Sequence, residues 1–166
     1  FGKPDPNFSV EGANKTIFGD ISDPNCVNQI KTENTEPFEY MFYATALGEV
    51  GVPIAEASKD SILQSNRLSF DPIPILEEQL DIKTIVTYST FYVIRHQLAT
   101  YGAMGYSKEA LEKWTLESGK SNRICIRAGL FESQSSRGIK LLLRKSAKNP
   151  DSLKDPLLKS YFIGKP

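Results

Sequence analysis

The chain has 166 residues, 40% hydrophobic and 24% charged, with 20 Lys+Arg balanced by 20 Asp+Glu, values that exclude a disordered or fibrous polypeptide and suit a single domain with a sizeable core. Two cysteines, Cys26 and Cys125, are too few for a disulfide framework and leave at most one bridge. Neutrality is only a sum: residues 1–80 hold 13 acidic and 5 basic side chains, residues 81–166 hold 7 and 15. Such segregation points either to partners or to two halves that pair with each other.

Residues 1–36 read as an extended, irregular arm. Pro4, Pro6, Gly12, Gly19 and Pro24 interrupt it, and Phe8, Val10, Ile17, Phe18 and Ile21 are scattered anchors without a period. The remainder, 37–166, reads as one mostly helical domain with a basic C-terminal half. Thr35 and Pro37 can open a helix whose face is Phe38, Met41, Phe42 and Thr45, ended by Gly48, Gly51 and Pro53. Residues 55–70 form a weaker helical link. "DPIPILEEQL" announces another helix, with Asp71 as cap and Pro72 in the first turn.

Residues 82–104 carry conflicting signals. From Thr84 to Ile94 every residue is β-branched, aromatic or hydroxylated, which is strand chemistry. No turn signal precedes Gly102, however, and strands rarely run so long, so the spacing predicts a long buried helix. Lys83, Arg95, His96 and Gln97 within it argue against a membrane span. Next, Ser107 caps a helix through "SKEALEKWTLESG", with Lys108/Glu112 and Lys113/Glu117 as surface pairs and Gly119 as its stop. "NRICIRAGLF" alternates, which predicts a short strand around 122–131 with Arg123, Cys125 and Arg127 on one side. A helix over 135–150 and a short C-terminal helix from Asp155 complete the chain. The predicted fold class is therefore mainly α, with α+β as the alternative.

Chemistry-bearing motifs are absent. There is no G-x-G-x-x-G, no phosphate loop and no serine nucleophile elbow. His96 is the single histidine and reads as a core residue on one helical stripe with Ser89 and Val93. Metal ligands lack the spacing a zinc or calcium site needs. Cys125, between two arginines, is a candidate reactive or modified thiol. These absences lower the enzyme reading without removing it, and no cofactor is predicted.

The densest feature is basic: Lys120, Arg123, Arg127, Arg137, Lys140, Arg144, Lys145 and Lys148 against the single acid Glu132. The aromatics that single-strand nucleic-acid binding would want for stacking are few among these cations. The expectation is a non-catalytic linker, scaffold or coat-type subunit. It would dock through its arm and through Arg123, Arg127, Arg137, Lys140, Arg144, Lys145 and Lys148 onto acidic protein surfaces or further copies of itself. The alternatives are nucleic-acid binding through 120–148 and an enzyme using Cys125. The opening on Phe1 and not Met fits removal of a targeting peptide, as in a soluble organellar protein. It fits equally a shortened chain or omitted leading residues, so the sequence leaves the localisation open.

Overall fold

The computed structural model describes residues 10–48, 52–93, 95–98 and 100–129, together with Arg137, Leu141, Arg144, Lys148, Asn149 and Lys159. In chain order the described elements are α1 (Pro24–Glu33), β1 (Phe38–Tyr43), a 3-10 turn (Ile54–Glu56), α2 (Lys59–Ser69), α3 (Pro72–Gln79), β2 (Ile82–Thr90), α4 (Arg95–Leu98), α5 (Met104–Leu116) and β3 (Asn122–Ala128). The strands form one sheet in the order β1-β2-β3, and both pairings are parallel. Each parallel step needs a crossover, and helices supply both: α2 and α3 link β1 to β2, while α4 and α5 link β2 to β3.

This architecture overturns the expectation of a mainly helical body with an irregular arm. Within that arm, Asp23 caps α1 by accepting the Asn25 N–H at 2.9 Å, Pro24 takes the first helical position, and Val27 enters the core. The helix expected from Pro37 is instead β1. Its Phe38, Met41 and Phe42 do have helical spacing, but the same segment carries alternating aromatic bulk, which costs side-chain freedom in a helix and fits a pleated surface. Pairing of Phe38 with Ile82 and of Phe42 with Val86 decides the matter.

The predicted 82–104 helix is β2, a turn, α4 and the start of α5. β2 is the central strand and is buried on both faces at Ile85, Val86 and Thr87, so its apolar run shows no alternation. The chain leaves β2 through Phe91 and Val93 with neither Gly nor Pro, which is why the sequence offers no stop signal. Ser89 therefore lies in a strand and shares no helical stripe with His96, whose side chain lies outside the described residues.

One face of the sheet carries Ile85, Thr87, Arg123 and Cys125 and packs against α3 and α5. The core there joins Val27, Tyr43, Ile73, Leu76, Ile82, Ile85, Leu111 and Trp114. The other face leaves Tyr40, Phe42, Ile124 and Ile126 partly open to solvent, and Tyr40 stacks on Phe42 at 6.1 Å. Two glycines admit α5 to its place. Gly102 has φ +49°, a conformation glycine adopts at little cost, and its N–H reaches Val52 O at 2.8 Å. Gly105 lies so close to the 3-10 turn that an added Cβ would stand 2.4 Å from Ile54 Cδ1.

No described helix is long and apolar enough to cross a membrane. In the basic C-terminal segment, Arg137, Leu141, Arg144 and Lys148 are helical and exposed. Lys140, Lys145 and most of the remaining C-terminal helix expectation lie outside the described residues.

Candidate functional site

Open parallel sheets place ligands outside the carboxyl ends of their strands. At that end of β2 the structure gathers side chains from four segments. Lys108 comes from the second turn of α5 and is only 7% exposed. Its Nζ donates to the Tyr88 carbonyl at 2.7 Å. Burial pushes the ammonium below the ordinary lysine value, and nearby Cys125 opposes that shift. Among the described residues this buried cation is held by a carbonyl and by no carboxylate, which leaves its charge without a counter-ion there.

One turn later on the same face, Glu112 accepts the Ser89 hydroxyl at 2.6 Å. Arg127 of β3 closes on the same carboxylate from two nitrogens, at 2.8 and 2.5 Å. Tyr92 reaches the second oxygen more distantly, at 3.5 Å. The arginine, first, and the serine hold the Glu112 carboxyl below the usual range. Glu112 thus ties the end of β2, the following turn and the end of β3 to α5.

Tyr101 precedes Lys108 by seven residues, just before the Gly102 turn. Its N–H donates to Gln97 O at 2.8 Å, it bridges to Val52, and burial raises its phenol above the ordinary value. Thr90 donates to Ala128 O at 3.3 Å and accepts from Gln97 Nε2 at 3.0 Å. With the threonine hydrogen directed at Ala128, Gln97 Nε2 must face Thr90 and Oε1 must face away. That Oε1 is buried and has no partner among the described residues.

Two serine-rich contacts seat α5 on α2. Ser107 donates to Asn66 Oδ1 at 2.7 Å and lies 2.8 Å from the Ser65 hydroxyl. Ser107, expected as the cap, lies inside α5, which begins three residues earlier at Met104, and is fully buried. Lys113 pairs with Glu109.

Of the residues singled out from sequence, Arg123 and Arg127 are committed within the chain. Arg123 donates from Nε and Nη2 to the two oxygens of Glu77, at 3.0 and 2.5 Å, and lies 3.9 Å over the Trp114 ring. Cys125 is a free thiol on the helix-facing side of β3, and Cys26 is free as well. Burial raises the Cys26 thiol. Sequence reasoning took Lys108 for a solvated partner of Glu112 and did not single out Tyr101, Ser89 or Thr90. The available signal was the cluster of small residues Gly102, Ala103, Gly105 and Ser107, which marks a closely packed helix face and hence a buried neighbour.

Solved structures share this fold. An enoyl-[acyl-carrier-protein] reductase (NADH) from Aquifex aeolicus VF5 superposes with a TM-score of 0.60 at 19% identity, covering 87% of this chain and 64% of its own. A short-chain dehydrogenase/reductase, a glucose/ribitol dehydrogenase, from Brucella melitensis gives 0.61 at 17%, covering 81% and 60%. An enoyl-(acyl-carrier-protein) reductase from Anaplasma phagocytophilum, in complex with NAD, gives 0.57 at 20%, covering 76% and 56%. The chain therefore spans less than two thirds of the length of each. No protein-family model matches the sequence, and no curated protein does.

These likenesses correct three expectations. The fold is a parallel-sheet, Rossmann-type one and not mainly helical. Its structural neighbours are reductases and dehydrogenases, which overturns the structural-subunit and scaffold reading. One of them is a complex with NAD, against which the expectation of no cofactor is withdrawn.

Proposed function

We propose that this chain forms the reacting end of a nicotinamide-dependent reductase whose substrate is an enoyl thioester. The observation that carries the reading is Lys108, a buried ammonium fixed on the Tyr88 carbonyl at the carboxyl end of the central parallel strand. The shared fold with an enoyl reductase described as NADH-dependent, and with one in complex with NAD, supports the choice of cofactor.

Three groups would suit the nicotinamide end of such a ligand: the buried Lys108 ammonium, the Tyr101 phenol seven residues before it in the chain, and Gln97 Oε1, buried and without a partner among the described residues. The diphosphate end is not matched, because no glycine-rich fingerprint occurs in the 166 residues; structure outside this chain would hold it. When bound, the reduced nicotinamide supplies a hydride. The residues of this chain then face a thioester oxygen that gains negative charge. Tyr101 would donate a proton to that oxygen, giving an enol that tautomerises to the saturated thioester by protonation at carbon, and Lys108 would stabilise the developing charge electrostatically. Thr90 and Ser89 fix the strand end that frames it.

The test is enoyl-thioester-dependent oxidation of NADH by the protein carrying this chain, with NADH binding followed separately by fluorescence. Lys108→Ala and Tyr101→Phe should each lower kcat by about 100-fold or more while NADH still binds. Absence of NADH binding, or unchanged rates in both variants, would overturn the reading.

A further inference from the structure

We propose that Glu112 is a positioning residue for Lys108, acting through the Ser89 hydroxyl and the end of β2. The two α5 side chains are four residues apart, and so lie on one helix face. They grip consecutive residues of β2: Lys108 Nζ the carbonyl of Tyr88 at 2.7 Å, Glu112 Oε1 the hydroxyl of Ser89 at 2.6 Å. Fixing Ser89 fixes the peptide plane that presents the Tyr88 carbonyl, and that carbonyl is what holds the ammonium.

Arg127 completes the device. By engaging both Glu112 oxygens from β3 it aligns the carboxylate and supplies its counter-ion, so Glu112 can hold Ser89 without drawing the ammonium to itself. Lys108 is thereby kept on a neutral carbonyl in a buried position. The groups shown to act on it are the Tyr88 carbonyl on β2 and Cys125 on β3, and the charged pair one turn along its own helix is Glu112 with Arg127 of β3. None of the roles assigned to Lys108 and Tyr101 above requires Glu112 to touch substrate.

The consequence for Lys108 as a reacting residue rests on the proposed reductase function, but the positioning itself can be read without substrate. The experiment is an NMR pH titration of the full chain labelled at lysine Cε, with Lys108→Arg used to assign the signal. In the wild type Lys108 should titrate below the other lysines. Ser89→Ala removes one small hydroxyl, keeps the Glu112–Arg127 pair, and should move the Lys108 midpoint up toward its neighbours. Glu112→Ala loosens the same contact but also removes a carboxylate and leaves Arg127 unpaired, both of which lower a lysine, so the Lys108 midpoint should rise less than in Ser89→Ala. Arg127→Lys, which keeps a cation beside Glu112, should move it least.

A Lys108 midpoint unchanged in both Ser89→Ala and Glu112→Ala would overturn the inference. A shift in Glu112→Ala with none in Ser89→Ala would overturn the route through Ser89. If Glu112→Ala fails to fold, the Ser89→Ala comparison alone decides. Where the reductase assay works, Ser89→Ala should lower kcat by about three- to tenfold, the scale of one lost hydrogen bond, and move the basic limb of the pH–rate profile in the same direction as the NMR midpoint. A protein that binds no NADH would defeat the reductase reading and leave the titration to test the positioning.

Discussion

Arg123 on β3 and Glu77 on α3 form a two-pronged ion pair whose side chains are only 8% and 7% exposed. The arginine belongs to the basic half of the sequence and the glutamate to the acidic half. Lys83 with Glu39, and Lys120 with Glu78, join the halves in the same way. Among the described residues, three ion pairs thus join the acidic half to the basic one, the first of them buried and the other two exposed. Glu77 also accepts the Ser121 N–H at 3.1 Å, and Arg123 reaches the Trp114 carbonyl at 2.6 Å, so the pair locks the start of β3 to α3 and the end of α5.

Arg123→Met should destabilise the chain by about 3–5 kcal/mol, because it leaves the Glu77 carboxylate buried without a partner. The double variant Glu77→Leu/Arg123→Met should recover most of that loss. Urea unfolding of the wild type, both single variants and the double variant checks this. Additive losses would show that the two residues act separately.

The same pair sets an acid limit. Its hydrogen bond to Arg123 holds the Glu77 carboxyl below the ordinary value. The unfolded chain then takes up a proton before the folded one does. Stability from this group is complete above the unfolded value of about 4.3 and is lost as pH falls through the lower folded value. In Glu77→Gln the slope of unfolding free energy against pH below about 4.3 should be shallower than in the wild type; equal slopes would remove Glu77 from the account.

Lys108 works in the opposite range. Burial depresses its folded value, so between that value and about 10.4 the unfolded chain holds a proton the folded chain has released. Stability from this group therefore rises with pH through that window and is at its lowest below it. Subtracting the pH profile of Lys108→Met from that of the wild type isolates the term, which should climb toward alkaline pH. A flat difference would mean that the ammonium is as well solvated in the fold as outside it.

The close passage of α5 beside the 3-10 turn gives a packing test. Gly105→Val brings a side chain into Ile54 and should cost about 1–3 kcal/mol. Ile54→Ala in the same chain should return part of it, a coupling that thermal unfolding of the four proteins would reveal. If Gly105→Val is neutral, the helix does not approach the turn as described.

How much of this was legible beforehand differs from element to element. β3 lies where the alternation of Arg123, Ile124, Cys125, Ile126 and Arg127 places it, and α3 begins at Pro72 as the proline predicts. These signals are local: a period of two, and a ring that fixes one dihedral. The helix α2 was visible only weakly, although Ser58 caps it by accepting the Ser61 N–H at 3.1 Å. Of the site, only Cys125 and Arg127 were singled out, and Arg127 for a surface role.

What the sequence determined by itself is the material: a core-forming composition, two halves of opposite charge, a β-branched run at 84–90, and helix starts marked by proline. Only the tertiary structure decided what that material became. A strand buried on both faces has no period to read, so β2 acquires its identity from β1 and β3, about forty residues away on either side. Burial of Lys108 and the partners of Arg123 follow from the same cause. Whether a charge meets water or a distant carbonyl or carboxylate is set by which segments the sheet brings together, and no local pattern encodes that.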